Sequence, residues 1–124
     1  MRILGIDYGT KRVGVALSDE SRKFALPFIV IENKKTLLGQ IEGIAKENGV
    51  KEVVVGESRD YKGEPNKIFA AAEHFIKELE NRGFVVHKEL EYMSSAQAER
   101  IQGKNEKTDA SAAAIILQSY LDKN

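Results

Sequence analysis

Apolar residues fall in short blocks whose spacing changes along the chain, and each change marks a new element. Residues 3–6 and 13–17 are apolar at successive positions, the pattern of strands covered on both faces. They flank Tyr8, Gly9, Thr10, Lys11 and Arg12, so a hairpin is predicted. Residues 23–32 carry a third strand through Phe24, Leu26, Phe28 and Val30. Pro27 within it argues for a sheet edge, because proline has no N–H to give to a ladder. The spacing then switches to three and four. Leu37, Leu38, Ile41, Ile44 and Ala45 predict an amphipathic helix over 34–48, closed by Gly49. Val53, Val54 and Val55 predict a fourth strand over 51–56, followed by a polar loop at 58–66 that contains Gly63 and Pro65. A second helix is predicted from Ile68, Ala71, Ala72, Phe75, Ile76 and Leu79, stopped at Gly83, and a fifth strand over 84–90. Ser94, Ser95, Ala96 and Gln97 have the form of a capping box, which predicts a short helix ending before Gly103. Residues 103–107 read as a polar linker, and an alanine-rich final helix spans 108–121.

Three strands followed by alternating helices and strands predict an α/β domain. Its sheet is five-stranded and mixed, of order 3-2-1-4-5, with helices on both faces. Strand 2 is antiparallel to strand 1, and the crossovers make strands 1, 4 and 5 parallel neighbours. The carboxyl ends of those parallel strands share one edge, where open α/β sheets place their ligands. Asp7 ends the first strand, Glu57 lies just past the fourth and Glu91 directly follows the fifth.

Composition narrows the functional classes. At 124 residues and 42% hydrophobic content, residues 1–124 are expected to form a single domain. There is no cysteine, which excludes disulfides, thiolate ligands and a cysteine nucleophile. No apolar run approaches the roughly 18 residues that span a bilayer, and the amino terminus lacks a secretion signal pattern, so a cytoplasmic protein without a membrane partner is expected. Nineteen basic residues balance nineteen acidic ones. Contact with a polyanion therefore rests on local basic groups.

The acids carry the candidate chemistry. A carboxylate at the end of a buried strand is costly unless a cation, a metal or several N–H donors stand beside it, so Asp7 calls for a partner. Asp109 opens a helix in which Ala112, Ala113, Ile116, Leu117 and Tyr120 follow at three- and four-residue steps, which turns it toward the sheet. Carboxylates gathered in one place repel each other, and Mg²⁺ or Mn²⁺ makes such a cluster tolerable. Two such ions roughly 4 Å apart can activate a water and stabilise a phosphodiester's leaving oxygen. Lys11, Arg12, Ser94 and Ser95 are then candidate phosphate contacts. Plainer readings stand beside this one. Asp109 fits a first-turn acid favoured by the helix dipole at about 0.3–1 kcal/mol, and Glu57 and Glu91 fit solvated strand ends. His74 and His87 lie on separate elements without metal-site spacing, which suits surface or packing roles, and Tyr8 is expected to pack at the hairpin.

The run from Arg2 through Asp7, Gly9, Thr10, Lys11, Arg12 and Gly14 to Ser18 and Asp19, with the stretch from Thr108 and Asp109 to Gln118, resembles the YqgF/RuvX family over essentially the whole chain. Val53 to Gly56, with the Gly63 loop, falls where that family has its middle motif. The resemblance implies the RNase H-like fold and a metal-dependent nuclease, resolvase-like, acting on the 5′ end of precursor 16S ribosomal RNA. It places the family's first-strand aspartate on Asp7, its last-helix aspartate on Asp109 and the glutamate of its Asp-Glu-Arg motif on Glu91. That motif is altered here: Leu90 stands for the aspartate, Tyr92 for the arginine, and Ser94 and Ser95 for two threonines. Glu57 and Ser58 replace the usual Leu-Pro, so Glu57 is not carried over, although other RNase H-like nucleases place an acid near this strand's end. Glu57 is expected to compensate for the altered third motif. The implied partners are pre-ribosomal RNA, with branched DNA and ribosomal particles as further possibilities. Two rival readings remain open at this point. The segment from Gly5 to Thr10 also resembles the phosphate-binding hairpin of actin-like kinases, which close two such lobes around ATP where this chain has length for one. A non-catalytic RNA- or ribosome-binding module is the other.

Overall fold

The computed structural model describes residues 1–9, 11–58, 67–91 and 108–123, and only the backbone of 57, 58, 67–69, 90, 91, 108 and 109. Five strands form one sheet: β1 (Ile3–Tyr8), β2 (Arg12–Ser18), β3 (Ala25–Glu32), β4 (Glu52–Ser58) and β5 (Val85–Glu91). Among the described residues three helices pack on it: α1 (Leu37–Asn48), α2 (Lys67–Asn81) and α3 (Thr108–Lys123). The order is β3-β2-β1-β4-β5, with β1 antiparallel to β2 and parallel to β4, and β4 parallel to β5. The predicted short helix at 94–103, the 103–107 linker and most of the 58–66 loop lie outside the described residues.

Alternation along the strands divides the core in two. Leu4, Ile6, Val13, Val15, Val53 and Val55 face α1 and α2, meeting Leu37, Ile41, Phe75, Ile76 and Leu79. Ile3, Ala16 and Val54 face α3, meeting Ala113, Ile116, Leu117 and Leu121. A sheet buried on both faces explains the continuous apolar runs of β1, β2 and β4. The edge strand β3 differs: Leu26, Phe28 and Ile29 are exposed, and a register shift opposite Val15 and Ala16 joins Pro27 in interrupting its ladder. Both features blunt an edge against further strand pairing.

Helix α1 starts three residues later than its periodicity suggests. Lys34 to Thr36 form a turn, in which the Leu37 N–H donates to the Lys34 carbonyl at 2.9 Å. Its stop is the predicted one: Gly49 takes φ +67°, a left-handed value that costs glycine nothing. Strand β4 runs two residues further than its apolar block, because Glu57 and Ser58 pair with Leu90 and Glu91 of β5. Glu57 thus lies within the strand, not past it.

Candidate active site

Asp7 is partly buried and pairs with Gly14 one residue before β1 ends. Pleating puts positions 3, 5 and 7 on the α3 face, since Ile3 packs with Leu117 while Leu4 and Ile6 pack on the opposite face. Tyr8, on that opposite face, packs on Phe75 of α2 with ring centroids 4.9 Å apart.

The parallel ladders set the positions of the other strand acids. Val54 pairs with His87, Gly56 with Glu89 and Ser58 with Glu91. Glu91 therefore occupies a register position on the α3 face, as Asp7 does. Glu57 alternates with Val53 and Val55 and takes a position on the α1 and α2 face.

Helix α3 brings the fourth acid to the same edge. At Gly5 the helix is so close that a Cβ there would stand 2.6 Å from the Leu117 Cβ and 2.9 Å from the Ala113 carbonyl oxygen. Gln118 marks the other end of the sheet, where β1 begins: it accepts the Ala25 N–H and donates to the Lys23 carbonyl, both at 2.9 Å. The first turn of α3 therefore points toward the edge where β1 ends. Asp109 thus opens the helix that packs on the face carrying positions 5 and 7.

The turn beside Asp7 is tight and held from outside. A Cβ on Gly9 would lie 2.4 Å from the Arg12 carbonyl oxygen, so the turn admits no side chain there. The Asn33 side-chain amide donates to the Gly9 carbonyl at 2.7 Å, and its backbone N–H donates to the Lys11 carbonyl at 2.9 Å. Lys11 and Arg12 are exposed at this turn. Ser94 and Ser95 lie outside the described residues.

Asn33 and Glu89 were not visible as site-supporting residues in the sequence, where nothing local ties them to the turn or to α3. Glu89 is only 6% exposed. It accepts a hydrogen bond from Ser119 at 3.2 Å and an ion pair from Lys123, fastening α3 to β5. Away from the edge, His87 stacks on Tyr120 at 4.9 Å and lies 3.3 Å from Glu52, whose other oxygen takes Arg22 at 3.1 Å. Burial opposes ionisation of Glu52, but the bond and charge of Arg22 and then of His87 hold its carboxyl below the usual range. His74 is exposed, 3.9 Å from Glu78. Both histidines have packing or surface roles.

A family model described as "RuvX: Holliday junction resolvase" matches residues 1–123. A Chlorobaculum tepidum protein named "Putative pre-16S rRNA nuclease" is 37% identical, over 99% of this chain and 94% of its own. A protein of the same name from Maridesulfovibrio salexigens is 33% identical over 98% of each. Among solved structures, Thermus thermophilus RuvC in complex with a Holliday junction substrate superposes with a TM-score of 0.64 at 15% identity, covering 99% of this chain and 95% of that one. The fowlpox virus Holliday junction resolvase superposes with a TM-score of 0.60 at 17% identity over the full length of both. These neighbours give the sheet and its helices their fold name. The chain belongs to the RuvX (YqgF) family of nucleases and has the RNase H-like fold.

Proposed function

We propose that this protein is a divalent-metal-dependent nuclease that hydrolyses a phosphodiester bond of precursor 16S ribosomal RNA at its 5′ end, in the cytoplasm and on ribosomal particles. The observation that supports the reading is the register: Asp7 and Glu91 take positions on the same face of the sheet, toward the carboxyl ends of its parallel strands, and α3, which Asp109 opens, packs on that face. Carboxylate oxygens from three separate elements are the hard donor set that Mg²⁺ or Mn²⁺ prefers, so these residues fit such ions. When bound at such a site, a pair of divalent ions lowers the pKa of an attacking water and offsets charge on the leaving oxygen. Asp7, Glu91 and Asp109 would supply the ligands. Lys11 and Arg12, exposed at the adjoining turn, contact the flanking phosphates, with Ser94 and Ser95 assigned the same role by their place in the altered motif. Glu57 is the weaker ligand candidate, because its register position is on the other face.

The relatives' names favour pre-16S RNA as substrate, and the family model's description favours a four-way DNA junction as the second one to test. The test incubates the protein with a pre-16S RNA fragment and with a four-way junction, in Mg²⁺, in Mn²⁺ and in chelator. Cleavage that needs the metal and falls at least a hundredfold in Asp7→Asn is the expected result. Metal-independent cleavage, or none on either substrate, would reject the proposal.

A further inference from the structure

We propose that Lys34 and Lys35, at the corner between β3 and α1, form one phosphate-binding surface with Lys11 and Arg12, along which the nucleic-acid backbone leaves the catalytic edge. The inference deepens the nuclease reading and rests on it for the nature of the ligand.

Four observations carry it. First, Asn33 locks the corner to the turn that follows Asp7 through two hydrogen bonds, of 2.7 Å to the Gly9 carbonyl and 2.9 Å to the Lys11 carbonyl. Second, Arg12 pairs with Glu32 across the β2–β3 ladder, so the chain leaving β3 emerges directly beside the cations of the turn. Adjacent strands stand about 4.8 Å apart, which places the backbone of all four basic residues within roughly 10 Å. Third, Lys11, Arg12, Lys34 and Lys35 are all exposed. Fourth, little opposes the charge of the two lysines at the corner. The first turn of α1 carries no acid. Glu32 meets Lys34 at 3.4 Å with both side chains well exposed, an ion pair of the kind worth little in water. In a chain whose formal charge is zero, three exposed lysines, Lys11, Lys34 and Lys35, gather beside the turn that follows Asp7.

A row of surface lysines is ordinarily a solvated face. Here the lysines are not on a free loop: the Asn33 bonds fix their backbone relative to the turn, so only the side chains remain to be ordered when a polyanion binds. Phosphodiester backbone is the chemistry this recognises, whether from RNA or from branched DNA.

The experiment measures binding in EDTA, where cleavage does not intervene, of a fluorescein-labelled single-stranded 20-nucleotide RNA and of a labelled four-way DNA junction, from 50 to 300 mM salt. Wild type is compared with the double variant Lys34→Gln/Lys35→Gln and with Lys46→Gln/Lys51→Gln, which removes equal charge at the far end of α1. On RNA the corner variant should bind on the order of tenfold more weakly at 100 mM salt, with a salt slope shallower by about 1.4, from about 0.7 per lost phosphate contact. The control should change less than twofold. A corner variant that matches the control on both probes overturns the proposal, and so does a wild type that binds neither. A selective loss on RNA, on the junction or on both supports it and names the source. If binding behaves as expected but no metal-dependent cleavage is found, the nuclease reading fails while this surface stands.

Discussion

Gly5→Ala tests how α3 is held against the sheet, and with it the proposed convergence of Asp7 and Asp109. Gly5 sits mid-strand, paired with Ala16 on one side and Val54 on the other. A methyl group there would stand 2.6 Å from the Leu117 Cβ and 2.9 Å from the Ala113 carbonyl oxygen. Carbon atoms rest at about 3.5–4.0 Å, so helix and strand must part by roughly 1 Å. Neither neighbour is the free end of a flexible side chain, and both Leu117 and Ala113 are fully buried. Overpacking of this kind costs about 1–3 kcal/mol. With a urea slope of about 1–3 kcal/mol per molar, the unfolding midpoint should fall on the order of 1 M. The same displacement carries Asp109 away from Asp7, and an error of about 1 Å at reacting groups can cost about a hundredfold in turnover. Gly43→Ala is the contrast. It lies inside α1, where an added Cβ meets nothing within 4 Å, so it should raise the midpoint through alanine's advantage of about 0.8–1 kcal/mol in a helix. Urea melts followed by circular dichroism, with single-turnover cleavage at concentrations where each variant is folded, measure both effects. A Gly5→Ala protein with wild-type stability and turnover would mean that α3 does not lie on β1 as described, and the convergence of the two aspartates would fall with it.

Two further outcomes follow from the register and from the turn at Asp19. Glu91→Gln should cut metal-dependent cleavage at least about tenfold while Glu57→Gln changes it less than about threefold, because only Glu91 shares the Asp7 face; the reverse ranking would show that Glu57 is the third ligand. Asp19 accepts hydrogen bonds from the Ser21 hydroxyl and from the N–H groups of Phe24 and Lys23, which push its carboxyl down to about 2 from 3.8. A depressed carboxyl contributes stability that is present above its unfolded value and lost as pH falls through the folded one. Stability should therefore decline between about pH 4 and pH 2 more steeply in wild type than in Asp19→Asn, and parallel curves in urea melts over that range would refute the assignment.

Much of the fold was legible in one dimension. Continuous apolar runs and three-four spacing reflect whether one or both faces of an element are buried, and that is a local property of a segment. The runs at 3–6, 13–17 and 53–55 thus predicted buried strands, Pro27 predicted an edge, and the alanine-rich run at the end predicted the last helix. The place of Asp7 near the end of β1 was legible for the same reason, since a carboxylate after a buried apolar run stands out against its neighbours. The position of Glu57 was not legible. It depends on the β4–β5 ladder continuing through Leu90 and Glu91, and nothing within residues 51–58 encodes that extension. Nor could the chain alone reveal Asn33, whose hydrogen bonds reach back 22 and 24 residues to the turn, or Glu89, whose partners lie 30 and 34 residues ahead. Burial pattern and chain order are written in neighbouring residues and were settled by the sequence. Which acids share a face, how near α3 comes at Gly5, and which cations border Asp7 depend on contacts between distant segments, and these exist only once the sheet has closed and the helices have packed on it.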